Sequence, residues 1–267
     1  MKQSPDFNGS FSSDPVLVKL AAADRGFTNH LGMAFVPVPK GTGYLGGGGG
    51  KPGTEKFTLT DELYCGVYPV TQGEWRNVMG DNPSHFKDAP DADRCPVETV
   101  SYTRIVDEFL PKLNAAEKAR NGGRVYRLPT EPEWEYICRG GPISEAESAY
   151  HFYCGTPSND LSGRDANFNA NYPAGNAPKL PDLNLKRTCK VGSYKPNKLG
   201  IYDLHGNVWQ WTSSLSSSRG ESSYRVIRGG CWPYKGEYCT ASSQLMNEQG
   251  NPVNILGFRL LAVPSDR

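Results

Sequence analysis

"VGSYKPNKLGIYDLHGNVWQWTSS", residues 191 to 214, changes character part-way along. Its first half is rich in Gly, Pro, Asn and Lys, the composition of turns, and its second half contains "VWQW", which reads as a short strand. Upstream, residues 141 to 200 are polar, Gly, Pro and Asn segments without a helical period. Downstream come more short strands separated by turns: "YRVIRGGCW" (224–232), "YCTASSQ" (238–244) and "LGFRLLAV" (256–263). The helical text lies before residue 140. "VTQGEWRNVMG" (70–80) has Thr71 followed three residues later by Glu74, a capping-box pattern, and "RLPTEPEWEYICRGG" (127–141) repeats it with Thr130 and Glu133. "SYTRIVDEFLPKLNAAEKARNGG" (101–123) offers Ser101 as cap and Ile105, Phe109, Leu110 and Leu113 at helical spacing, with Pro111 expected to kink or break it. Helices early and sheet late predict an α+β fold.

Composition sets the outer limits. At 267 residues the chain has room for one large, irregular domain. Lys and Arg number 29 against 28 Asp and Glu, with no basic block, so nucleic acid is not an expected partner. Gly 30 and Pro 21, beside 11% aromatics, predict many turns held around large rings. No stretch reaches the roughly 20 apolar residues of a membrane helix, so no membrane insertion is expected, and the opening "MKQSPDFNGS" lacks the apolar core of a secretion signal. Cys65, Cys95, Cys138, Cys154, Cys189, Cys231 and Cys239 contain no C-x-x-C pair, and buried free thiols are the plain reading.

Residues 1–29 read as an extension and 30–267 as the domain. "MAFVPVPKGTGYLGGGGGKPG" (33–53) runs from a strand into a glycine loop, Gly46 to Gly50, expected to be flexible, and "EKFTLTDELYCGVYPV" (55–70) alternates as strands do. A segment as long as 141–200 needs packed aromatics or a bound cation to fix it.

These segments, with "YPVTQGEWRNVMGDNPSHF" (68–86) and "CPVETVSY" (95–102), resemble in content and order the formylglycine-generating-enzyme type of C-type lectin fold, over about residues 31 to 263. The resemblance implies a loop-rich α+β architecture with two helices early and short antiparallel strands late. In that setting Trp75, Trp134, Trp209, Trp211 and Trp232 read as scaffold rings. Arg127, Glu133, Glu135 and Arg228 stand inside apolar or aromatic motifs and need paired partners.

The resemblance implies three uses. In the generating enzymes two cysteines five residues apart hold copper and convert a substrate cysteine to formylglycine; here Cys239 occupies the first position and Gln244 the second, and an amide cannot replace a thiolate on a soft cuprous ion. A second enzymatic use, with an iron-binding helical module, would need a histidine cluster, and His30, His85, His151 and His205 are isolated. His205 is expected to satisfy backbone groups.

The third use is non-enzymatic ligand binding. The chain is similar to the variable proteins of diversity-generating retroelements, most closely the Treponema type, whose last strands and loops carry a programmed set of varied residues at a surface-displayed site. That variation arises at adenines of AAY codons and cannot yield Lys, Glu, Gln, Met or Trp. Trp232, Lys235, Glu237, Gln244, Met246, Glu248 and Gln249 are then fixed, while Tyr234, Tyr238, Ser243, Asn247, Val253, Asn254 and Leu256 are eligible, in a variable region of about 213–258. Tyr238 and Leu256 fit a core role equally well. Leu215 and Ser217, in the serine-rich loop 212–224, join the candidate ligand-binding set. Tyrosines bring rigid area with a polar tip, and Ser and Asn bring adaptable hydrogen bonding, as in antibody loops. The expected partner is a protein or other surface ligand, at the cell surface or outside the cell, with a lipid anchor ahead of the chain. No cofactor is required on this reading. Calcium is the one metal the fold suggests, with Asn167, Asn169 and Asn207 as ligands, although the same amides suit Asx-type turns equally.

Overall fold

The computed structural model of the chain describes residues 26–120, 122–216 and 223–265. Both capping boxes form. Glu74 N–H donates to Thr71 Oγ1 (3.2 Å) and Thr71 N–H to Glu74 Oε2 (2.8 Å), starting α1 (Gln72–Met79). Thr130 and Glu133 do the same (3.3 and 2.8 Å) for α4 (Glu131–Cys138). Between them Ser101 caps α2 (Tyr102–Arg104), which continues through a π-helical turn, Ile105–Phe109, into α3 (Leu110–Glu117). Pro111 sits in the first turn of α3 just after that widened turn, where its missing N–H is tolerated, so the proline reshapes the helix without ending it. Among the described residues there are thus three separate α-helical runs where the resemblance implied two, each with its own cap.

The late-sheet expectation is only half the architecture. Strands β1 (Phe27–Thr28), β2 (Ala34–Pro37) and β5 (Tyr64–Gly66) pair with the last strand, β11 (Leu261–Pro264), and with β6 (Arg124–Arg127) in the order β1-β2-β5-β11-β6. Early and late segments therefore share one antiparallel sheet, and Phe27, inside the stretch read as an extension, stacks on Phe35. A hairpin of β3 (Gly41–Leu45) and β4 (Glu55–Leu59) lies apart. The late strands make a second sheet from β7 (Trp209–Leu215), β8 (Tyr224–Arg228), β9 (Gln244–Glu248) and β10 (Leu256–Gly257), ordered β10-β7-β8-β9, with β10 parallel to β7 rather than antiparallel.

Rings fill the spaces between these elements. Trp75 stacks on Phe109 and meets Phe258 edge-on in one cluster that also holds Trp209 and Trp211, while Trp134 and Tyr136 centre another. Four of the five tryptophans are fully enclosed and Trp232 is half-buried. The segment 141–200 is pinned by a third cluster, in which Phe152, Leu161 and Phe168 pack with Cys239.

The glycine loop is not free. Gly49 N–H donates to Asn159 Oδ1, Gly50 N–H to Ala149 O, and Gly47 O accepts from Arg139. Gly48 and Gly49 adopt positive φ against the His151 ring, where a Cβ on Gly48 would lie 2.1 Å from Nδ1.

Candidate functional site

Glu131 and Glu135 of α4 and Arg139 just after it stand at four-residue spacing, hence on one side, between β8 of the second sheet and the glycine loop. Arg228, at the end of β8, pairs its Nη2 with the Glu135 carboxylate, lies 3.4 Å from Glu131 and sits over the Trp134 ring. Arg139 takes the other Glu135 oxygen (2.8 Å) and donates to Ser148 O, Gly47 O and the Tyr153 hydroxyl. Both guanidinium groups are fully buried and paired, as charge in a low-dielectric interior demands. Burial raises the Glu131 carboxyl, against the opposing pull of Arg228. Burial also pushes Glu133 upward, but the two-pronged contact from Arg127 (2.8 and 2.6 Å) outweighs it and leaves the carboxyl below its ordinary value.

From Arg228 the chain turns through Gly229 and Gly230, both at positive φ; a Cβ on Gly230 would stand 2.4 Å from Cys239 Sγ. This tight turn delivers the candidate residues. Tyr234 is half-buried, edge-on to Trp209 and to Tyr238, and Tyr238 is 40% exposed. Val253 is half-buried against the first core cluster. Asn254 is half-buried, and its carbonyl accepts from Trp232 Nε1 (3.3 Å). These four lie around Trp209 and Trp232.

Ser243 and Asn247 belong to the β9 side, both half-buried. Pairing aligns Leu215 with Arg225 and Arg225 with Asn247, so Leu215, 53% exposed, and Asn247 share a row at the far end of the sheet. Asn247 closes a local turn with Asn251. The candidate set is therefore two groups joined by β9. Leu256 leaves it: wholly buried, it pairs with Trp209 inside the core, because the parallel β10–β7 contact turns it inward. Ser217 lies outside the described residues.

The seven cysteines are free thiols. Burial pushes Cys239 and Cys231 far up, and Cys138 and Cys154 to about 12. The residues do not supply the copper pair: Cys239 is wholly enclosed, and the second position holds Gln244, an amide exposed on β9. The calcium trio is not one donor set. Asn207 Oδ1 accepts from Cys189 N–H and Asn167 Nδ2, and Asn169 Oδ1 accepts from Asn171 and Asn184. Asn167 Oδ1 alone is buried without a hydrogen-bond partner, beside a cavity of about 10 Å³ also lined by Asp165 and Asp203. One free oxygen from three amides falls well short of the six to eight a calcium ion takes. Among the described residues no three His, Cys, Asp or Glu side chains converge on a point, and no helix is long and apolar enough to cross a membrane.

Compared with known proteins, residues 25–263 match the sulfatase-modifying factor enzyme 1-like domain. The chain belongs to this family. It is 30% identical over 219 residues to the chaperone protein LppX of Paenibacillus barcinonensis, covering 67% of this chain and 72% of that protein. It is 30% identical over 152 residues to the formylglycine-generating enzyme of Mus musculus, covering 51% of this chain and 39% of the enzyme. Among solved structures, Treponema denticola variable protein 1 superposes with a TM-score of 0.65 at 23% identity, over 91% of this chain and all of that one, which establishes a shared fold. Relatives at this level of identity thus include an enzyme and a protein named as a chaperone, so use must be argued from the site.

Within this domain Arg139 and Asn159 do more than sequence suggested. The one available signal for Arg139 was its i+4 spacing from Glu135; Asn159, which accepts from the nearby His151 N–H and from the distant Gly49 N–H, left none. His205 does satisfy backbone groups: Nδ1 donates to Cys239 O (2.7 Å) and Nε2 accepts from Tyr153 N–H (2.9 Å), which fixes its tautomer.

Proposed function

We propose that this family member is a non-enzymatic binding protein. Its carboxy-terminal turns and β9 form a retroelement-diversified face for a protein or other surface ligand, displayed at the cell surface or outside the cell. The observation that carries the reading is the state of the candidate side chains. Tyr234, Tyr238, Ser243, Asn247 and Asn254 are half-buried or exposed on a main chain tied to the scaffold. Two tyrosines in edge contact, flanked by amides and hydroxyls, suit recognition. The enclosed Cys239 and the amide at 244 weigh against a formylglycine-generating role. The fold shared with a protein named as variable, and the resemblance of the strand and turn motifs to retroelement variable proteins, support the diversified face.

Deep sequencing of the gene's 3′ end across a cultured population tests the reading. Substitutions concentrated at the codons of Tyr234, Tyr238, Ser243, Asn247 and Asn254, each matching an adenine in a nearby imperfect repeat, are the expected result. An invariant 3′ end with no such repeat would sink it, and so would oxygen-dependent turnover of a cysteine-bearing sulfatase peptide with cuprous ion.

A further inference from the structure

Scaffold groups grip the main chain of the carboxy-terminal turns, and the side chains among them, Arg228, His205 and Trp232, grip carbonyl oxygens. Arg228 Nη1 donates to Ser242 O (2.8 Å) and Ser243 O (3.0 Å), and Nη2 to Ala241 O (2.8 Å). His205 holds Cys239 O and Trp232 holds Asn254 O, while the N–H groups of Asn169 and Thr99 take the carbonyls of Tyr234 and Val253. A carbonyl oxygen is the same in every residue type, so none of these bonds reads a side chain.

We infer that Arg228 is a positioning residue of the binding face: anchored by Glu135, its guanidinium sets the path of residues 241–243 whatever side chains stand at positions 242 and 243. The inference takes its purpose from the binding role proposed above, while the geometry stands without it. Three carbonyls and a carboxylate converge on one planar fork, a demand that a lysine ammonium on a flexible stem cannot meet in the same way. Ser242 and Ser243 are both half-buried, with their backbone rather than their side chains held by the scaffold, and enclosure of Arg228 keeps water from competing for the carbonyls.

Hydrogen exchange on the full chain provides the test. Ala241 N–H donates to His151 O and Ser243 N–H to Thr240 O, so both amides report the loop's path. In Arg228→Lys, protection at these two amides should fall at least tenfold while the β7 and β8 amides stay within threefold of wild type. In a panel carrying S242N, S242Y, S243N, S243Y or S243D with Arg228 intact, protection at both should stay within threefold. A tenfold loss in the panel, or an Arg228→Lys protein with unchanged protection, overturns the inference. If Arg228→Lys does not fold, the panel decides alone. Failure here leaves the sequencing test of the binding role untouched, and an invariant locus would leave these protection factors as they are.

Discussion

Along α4, Glu131, Glu135 and Arg139 are each specified by the charged partner they meet; along the turns from 231 to 255, the scaffold's hydrogen bonds go instead to main-chain N–H and carbonyl groups. The two regions touch at Arg228, whose guanidinium meets a carboxylate on one side and three carbonyls on the other. The difference lies in what each contact constrains. A side-chain partner fixes residue identity, because removing it strands a buried charge; a carbonyl contact fixes position and leaves identity open. One domain can thereby hold a rigid path and a changeable surface a few residues apart.

The largest expected effect breaks the first region. Glu135→Ala would leave the guanidinium groups of Arg139 and Arg228 without their shared carboxylate, and removing one partner of a buried pair costs about 3–5 kcal/mol. Chemical denaturation should show a loss of that size, or no folded protein. A loss under about 1 kcal/mol would mean that the carbonyl contacts alone carry the two cations, and the contrast between the regions would disappear.

How far sequence alone anticipates this contrast depends on how local each feature is. The cap pairs Thr71–Glu74 and Thr130–Glu133 were legible because both partners lie within one turn. The need for partners at Arg127, Glu133, Glu135 and Arg228 was legible from charge in apolar surroundings, although which charge meets which was not. Pairing of β11 with β5 and β6 left no local trace, since both partners lie far from β11 in the sequence. The glycine run looked free because its restraints, Asn159 and Arg139, lie about a hundred residues away. Leu256 passed the codon criterion, yet a codon carries nothing about the direction in which a two-residue parallel strand points its side chain. The amides at 167, 169 and 207 looked like one set because their residue type suits a hard cation; two of them bond to one another and the third turns to Asn171 and Asn184.

An intermediate effect sharpens the boundary between the regions at His205. Burial holds its imidazole neutral, with a pKa lowered to about 4, and the neutral tautomer serves both Cys239 O and Tyr153 N–H. Above pH 6.5 the ring is neutral folded or unfolded and contributes no pH dependence. As pH falls from 6.5 towards 4, the unfolded chain takes up a proton that the folded chain refuses, so stability should decline by up to about 1.4 kcal/mol per pH unit, levelling off below 4. Urea melts at pH 7, 6 and 5 measure the slope, and His205→Gln should flatten it. An unchanged slope in that variant would assign the acid sensitivity to other groups and remove His205 from the supports of the Cys239 turn.

The smallest effect belongs to the second region, and its smallness is the point. Tyr238 is 40% exposed, its carbonyl lies beside the Gly230 turn, and its ring touches Tyr234 edge-on at 5.3 Å. An edge contact of this kind contributes about 0.5–1.5 kcal/mol, and part of the ring already faces water. Tyr238→Ser should therefore cost less than about 1 kcal/mol, a melting-temperature fall of no more than about 4 °C in a domain of this size. The stability of a residue chosen for its partner cannot be this indifferent to substitution, whereas that of a residue held only through its backbone must be. A loss above about 2 kcal/mol would place the Tyr238 ring with the core it borders, shrink the binding face to the residues around Asn254 and along β9, and return the Gly236–Cys239 turn to the scaffold.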